Sequence, residues 1–345
     1  MCRPWATSTS ARRARRPEGS EDRPSEEQTI ARFLAKRAAL GLITLLVLSI
    51  VIFLAAQVLP GDVGRRVLGP FADQASVDAM NEQLGTDRSL VVQYWDWISG
   101  VFTGDLGESI RNREVSDVLI DPLVASGKLA LLAFIIVVPL AIAGGVYAAM
   151  HEGSARDRII SVGGLSATAI PEFVWAVIFI LIFALGLGIF PTTAQFPAGA
   201  SVFTQLEYLL LPSLCLVCVL FGYIARMARA GTIEALGADY TRTAVLKGLP
   251  QRTVIMRHVL RNSLLPTIAV VATQAGYLLG GLVIIEVIFN YNGIGLTLAR
   301  AATAKDIPVL QSGVLIIGIV YLVATLIADI LYSILNPRVR LGAAE

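Results

Sequence analysis

Few residues in this chain are placed to do chemistry. Two histidines, His151 and His258, stand more than a hundred residues apart with no ligand-spaced neighbours, so no metal site is expected. His151-Glu152 lacks the second histidine of an HExxH helix, and no Ser/His/Asp set is evident, so no catalytic residue is assigned. Cys215 and Cys218 form a CxxC pair inside an apolar run, where packing is commoner than redox chemistry. None of the four lysines sits in a GxxxxGK[ST] context, so the chain carries no P-loop for nucleotide. Three acids remain, Glu172, Glu286 and Asp329, each within or beside a long apolar run. An acid at bilayer depth costs about 2.5–3.5 kcal/mol on insertion scales, so each needs a structural or functional reason.

The elements that hold these residues are membrane spans. Hydrophobic residues make up 55% of the 345 and charged residues only 16%, with a mean hydropathy of +0.69. A soluble domain carries about 25% charge. With roughly 20 apolar residues needed per crossing, six spans are predicted: Ala38–Leu59, Lys128–Met150, Ile159–Phe190, Glu207–Ala230, Leu264–Phe289 and Val309–Leu335. Pro171 should kink the third. With the N-terminus inside, the inner segments hold 20 Lys and Arg against 7 outside, which puts both termini in the cytoplasm. Residues 1–37 read as a basic, disordered tail, and 336–345 as a short cytoplasmic end. Arg12-Arg13 is followed too late, and by too long an apolar run, to be a twin-arginine signal. The outer segment 60–127 carries 11 acidic residues against 5 basic ones. Its QYWDWISGVF stretch suits either an interfacial helix or a small ectodomain with buried tryptophans. Asp329 is expected to be structural, paired with Arg338 or Arg340.

Between the fourth and fifth spans lies a 31-residue polar stretch, Thr232–Asn262. Ile233, Leu236, Tyr240 and Ala244 follow spacings of 3, 4 and 4, one stripe along a helix. Lys247 falls in its last turn, Gly248 where a left-handed cap is needed, and Pro250 just beyond. A second short helix fits Gln251–Arg261, with Val254, Ile255, His258 and Val259 on one face and Pro250 near its first turn. Two such helices around a Gly-Pro corner suit a hairpin lying flat on the bilayer. They equally suit a docking element for a soluble partner.

The segment RTAVLKGLPQRTVIMRHVLRN resembles the cytoplasmic coupling loop of ABC-importer permeases, in the dipeptide, oligopeptide and nickel branch. The general pattern is Glu-Ala-Ala, three residues, Gly, nine residues, then Ile-x-Leu-Pro. Ala244, Gly248 and Leu260 hold matching positions. Arg242, Thr243, His258 and Arg261 depart from the general pattern in the way this branch does. Similar to the branch are also LPGD (Leu59–Asp62), GDLGES (Gly104–Ser109), IPEF (Ile170–Phe173), IEVIFNYNGIG (Ile285–Gly295) and DILYSILNPRVR (Asp329–Arg340), so the resemblance covers about residues 38–340. Ala324-Thr325-Leu326 stands where the branch has an Asn-Leu pair.

The resemblance implies an all-α integral membrane protein: six transmembrane helices in the type I ABC importer permease fold, with a cytoplasmic coupling helix inside 232–262. It implies the first permease of a pair in the cell (inner) membrane. Its partners would be a second homologous permease, two cytoplasmic ATPase domains and an extracytoplasmic substrate-binding protein, with no nucleic acid. No cofactor is expected in this chain, since ATP and Mg would sit on the ATPases. Arg242, Thr243, Ala244, Lys247, Gly248, His258, Leu260 and Arg261 would couple to the motor. Ala244 would allow close approach to a motor groove, and Lys247 and Arg242 would pair with acids at its rim. Glu172 and Glu286 are candidates for a translocation cavity that meets a peptide amine, with helix–helix hydrogen bonding as the structural alternative. Di- and oligopeptides are the expected cargo; nickel chelates, opines or sugars would use the same machinery. A secondary transporter or channel would instead show coupling-ion acids at the midplane and inverted repeats, and neither is clear.

Overall fold

The computed structural model describes residues 26–58, 63–69, 71–84 and 87–335. Across them the chain is helical, with one isolated antiparallel bridge between Glu108 and Glu114 and no strand. The first apolar run lies in α1 (Glu26–Val58), and the outer segment then folds into α2 (Val63–Leu68), α3 (Gln74–Leu84) and α4 (Leu90–Thr103). Next come α5 (Val115–Met150), α6 (Ala155–Ala169), and α7 (Glu172–Phe179) running into a π-helical stretch, Ile180–Gly186. The central helix α8 (Val202–Gly237) leads to α9 (Asp239–Leu246). A short α10 (Gln251–Thr253) then passes through a second π-helical stretch, Val254–Val259, into α11 (Leu260–Ile288). The described chain ends with α12 (Ile294–Ala304) and α13 (Ile307–Leu335).

Five of these helices are long and apolar enough to cross a bilayer, and α6 with the α7 stretch makes a sixth candidate, bent by 103°. The boundaries move where spans run past their apolar cores. Helix α1 begins inside the segment read as disordered tail, because Glu26–Lys36 contains no helix breaker; residues 1–25 lie outside the described set. Helix α5 starts well before Lys128 and carries Pro122 and Pro139 within it. Helix α8 has 36 residues, about 54 Å at 1.5 Å per residue, so it outreaches a hydrocarbon core of about 30 Å. Its last turns include Thr232, taken from sequence as the start of the polar insert.

The bend at Pro171 is sharper than a kink. The pyrrolidine removes one N–H, and Ile170 before it is extended (φ −86°, ψ 123°). The Ala167 carbonyl accepts from Ile170 N (3.3 Å) and from the Trp175 indole Nε1 (3.0 Å). A side chain one turn past the proline thereby staples the break.

Helix α8 is the axis of the bundle. Its most apolar window is 67% buried, against 17–28% for the other unbroken spans, and α5, α6, α7 and α11 all pack on it. Small residues set how closely they pack. A Cβ on Gly222 of α8 would come within 2.7 Å of the Gly164 carbonyl carbon on α6, so the two backbones touch there. Cys215 is buried in this core and donates to the Leu211 carbonyl at 3.3 Å, as packing rather than redox pairing would have it. On the outer segment, α4 leans on α1. Trp97 stacks on Phe53 and Tyr94 meets that ring edge-on, Tyr94 hydrogen-bonds Ser49 at 2.9 Å, and Trp95 stays exposed. Arg37 of α1 pairs with Asp329 of α13 at 3.2 Å, while the pairing expected with Arg338 or Arg340 falls on residues that are not described. The LPGD motif also lies outside the described residues.

Candidate functional site

The polar stretch between α8 and α11 forms a hinged hairpin. Its stem is pinned where Gly231 meets the Ser263 carbonyl, so closely that no Cβ fits. Beside it Thr232 Oγ1 donates to Ala228 O (2.6 Å) and lies 3.5 Å from Ser263 Oγ. Extended Ala238 (φ −72°, ψ 148°) ends α8, and α9 folds back. Thr241 fastens it by donating from Oγ1 to Ala235 O at 2.7 Å. Ala235, Ala244, Val254 and Val259 then make a small core of the hairpin's own.

The corner is where the residue spacing placed it. Lys247 caps α9, and Gly248 follows with φ +73° and donates its N–H to Val245 O at 2.9 Å. A Cβ at Gly248 would meet nothing within 4 Å, so glycine is required there by backbone conformation and not by space. Pro250 then starts α10. The second helix is not separate, however. It continues through the π-helical Val254–Val259 into the fifth span, and Pro266 is carried inside α11 without ending it. Widened turns of this kind are uncommon and often mark functional sites.

The coupling candidates divide by exposure. Arg242, Thr243, Lys247, Gly248 and Arg261 are exposed, and His258 and Leu260 are half-buried. Ala244 is buried in the hairpin core, so it does not offer itself to a motor groove; its small side chain sets how tightly the hairpin closes. The inward stripe is also shifted. Leu236 and Tyr240 are exposed, while Ala235, Thr241 and Ala244 point in, because the break at Ala238 resets the helical phase. Around the corner Val245, Leu246 and Leu249 are left apolar and uncovered, with Leu246 82% exposed. That uncovered corner is what sequence reasoning missed; the residues were visible, but their side of the helix was not.

Two helices carry the hairpin into the bundle. At the base of α8, Arg229 grips Asp157 of α6 through both carboxylate oxygens, Nε to Oδ1 at 2.6 Å and NH2 to Oδ2 at 2.7 Å. Asp157 also accepts from Gly153 N and Ser161 Oγ. The pair locks α6 to α8 just above the hairpin, and it was not singled out from sequence.

The two acids proposed for a cavity part company. Glu286 is fully buried. Its Oε1 accepts from Ser126 Oγ, and its Oε2 accepts from the N–H groups of Gly295 (2.7 Å) and Leu296 (3.2 Å) at the start of α12. Ser126 in turn accepts from Ile294 N at 2.8 Å. A carboxylate satisfies the free amides of a helix N-terminus well, so Glu286 caps α12 and leaves no exposed surface for a peptide amine to meet. Gly293 is part of the same device, since a Cβ there would collide with the carboxyl group. Burial, and then the Glu286 charge, push the Tyr291 phenol up to about 12, and it donates to Ala125 O at 2.8 Å. Helix α12 is an element that the span pattern does not predict, although Ile294, Leu298 and Ala301 sit at helical spacing and are buried. Glu172, by contrast, lines a groove of about 870 Å³ between α1, α7, α11 and α13.

Comparison with known proteins agrees with this architecture. The family described as "Binding-protein-dependent transport system inner membrane component" matches residues 141–341. Its N-terminal companion matches residues 30–115. A glutathione transport system permease protein of Escherichia coli (strain K12) is 33% identical over 303 residues, 87% of this chain and 96% of the relative. A putative peptide transport system permease protein of Brucella abortus (strain 2308) is 35% identical over 308 residues, 89% of this chain and 98% of the relative.

Proposed function

Because the chain belongs to the family of binding-protein-dependent transport system inner membrane components, we propose that it is the peptide-translocating permease of an ATP-driven importer. An extracytoplasmic protein delivers the cargo, and a second permease completes the pathway. ATP and Mg bind on separate ATPase subunits. The excess of Lys and Arg on the hairpin side supports a cytoplasmic hairpin and cytoplasmic termini. Relatives named for glutathione and for peptides support a peptide-class cargo.

The observation that carries the mechanism is the corner at Lys247–Leu249. It is closed by a left-handed glycine, apolar at its tip and bordered by Arg242 and Lys247, with Arg261 exposed nearer the stem. An ATPase surface with an apolar cleft and acidic rim would take the tip, and its closure would displace the hairpin. Since the hairpin continues into α11 and is stapled to α8 and, through Arg229, to α6, the displacement reaches three spans at once. Outward and inward opening then alternate with nucleotide state.

The test is ATP-dependent uptake of a tripeptide into vesicles holding both permeases and the ATPases, with the binding protein supplied outside. Uptake that needs both the ATPase and the binding protein is expected. Uptake that persists without the ATPase would instead favour a secondary transporter.

A further inference from the structure

The groove beside Glu172 holds a second polar group that the fold does not use. Gln274 is nine-tenths buried, lines the groove, and its Nε2 finds no hydrogen-bond partner among the described residues. Turning the amide over would only leave the oxygen there instead. An unpaired amide in such a place is costly unless something else pairs with it. Its position is the middle of α11 (Leu260–Ile288), and Tyr321 on the opposite wall is the middle of α13 (Ile307–Leu335). The groove therefore lies at half-depth in both spans.

Glu172 supplies the second fixed point. Its carboxylate has no hydrogen bond or ion pair among the described residues, and Oε1 lies 3.7 Å from where a Cβ on Gly281 would be. Gly281 is two turns beyond Gln274 along α11, so the two polar points are about 10 Å apart at 1.5 Å per residue. That is roughly three extended residues. Between them the walls are mostly apolar, and the volume falls within the range of about 300–1,000 Å³ usual for ligand sites.

Resting on the importer function above, we propose that this groove is the permease's own peptide site. Glu172 receives the cargo's ammonium group, Gln274 hydrogen-bonds a peptide amide about three residues along, and the apolar walls accept varied side chains. A lipid chain or an apolar helix in the groove would bury both polar groups unpaired, whereas a short peptide satisfies both. Glycine at 280 keeps the wall open: unlike the tightly packed Gly222, it has nothing within 4 Å of a Cβ position.

The experiment uses the assembled importer in lipid nanodiscs, with Gly280→Cys as a reporter of maleimide labelling. Trialanine is expected to protect the cysteine. Glu172→Gln on that background is expected to raise the protecting concentration of trialanine about tenfold, the loss of one charge-assisted hydrogen bond. It should leave that of N-acetyl-trialanine unchanged, because acetylation already removes the ammonium. Gln274→Leu should weaken protection by both. Absence of protection overturns the site, as does a cysteine already shielded without peptide or an equal effect of Glu172→Gln on both peptides. ATP-dependent trialanine uptake by the same preparation in vesicles separates the two failures. If uptake continues the importer function stands without this site, and if uptake is lost as well the function has failed too.

Discussion

Replacing Gly248 tests the corner with a single backbone term. Its φ of +73° is left-handed, and a Cβ there has no neighbour within 4 Å, so a substitution changes conformational preference and nothing in the packing. An L-residue with a Cβ loses about 1–2 kcal/mol in that region, asparagine less and a β-branched residue more. A penalty of that size lowers the population of the closed corner about 5–30-fold while leaving a domain of ordinary stability folded. We therefore expect uptake to fall in the order Gly248, Gly248→Asn, Gly248→Ala, Gly248→Val, with membrane insertion and pairing with the second permease unchanged. The assay is initial uptake rate in vesicles alongside the amount of assembled complex. Wild-type uptake by Gly248→Val would refute the corner, and so would a decline that tracks lost protein.

Three further outcomes follow from contacts in the bundle. Glu286→Ala strands the Ser126 hydroxyl and two amides of α12, which should cost about 3 kcal/mol or more and show as a lower melting temperature in detergent. A stable Glu286→Ala with a raised KM for peptide would restore the cavity role. Arg229→Lys replaces a two-pronged grip on Asp157 by a point charge, and we expect about 1–2 kcal/mol of lost stability with slower uptake; unchanged values on both counts would remove the pair from the transmission route. Trp175→Phe deletes the donor to Ala167 O and should cost about 1 kcal/mol without straightening the bend, which cysteine cross-linking between α6 and α7 would check.

Much of the molecule was legible because single residues dictate local geometry. Gly248 before Leu249-Pro250 marked a corner, Pro171 marked a bend though not its sharpness, and the long apolar runs marked the membrane helices. What could not be read depends on distant partners. Glu286 looks like an intramembrane acid until Ser126, far earlier in the chain, and the amides after Gly293 are brought to it. Leu236 and Tyr240 fit an inward stripe only if α8 runs on through Ala238, and it does not. Gln274 is one polar residue in an apolar span until α1, α7 and α13 close a groove around it.

The most direct measurement places a cysteine at the uncovered tip of the corner, Leu246→Cys, in the assembled importer. Cross-linking to an ATPase subunit, altered in extent when ATP is trapped on that subunit, is the result expected. A Leu246→Cys that reaches no ATPase in any nucleotide state, and whose attached spin label is quenched from within the lipid, would show that the hairpin rests on the membrane and transmits nothing.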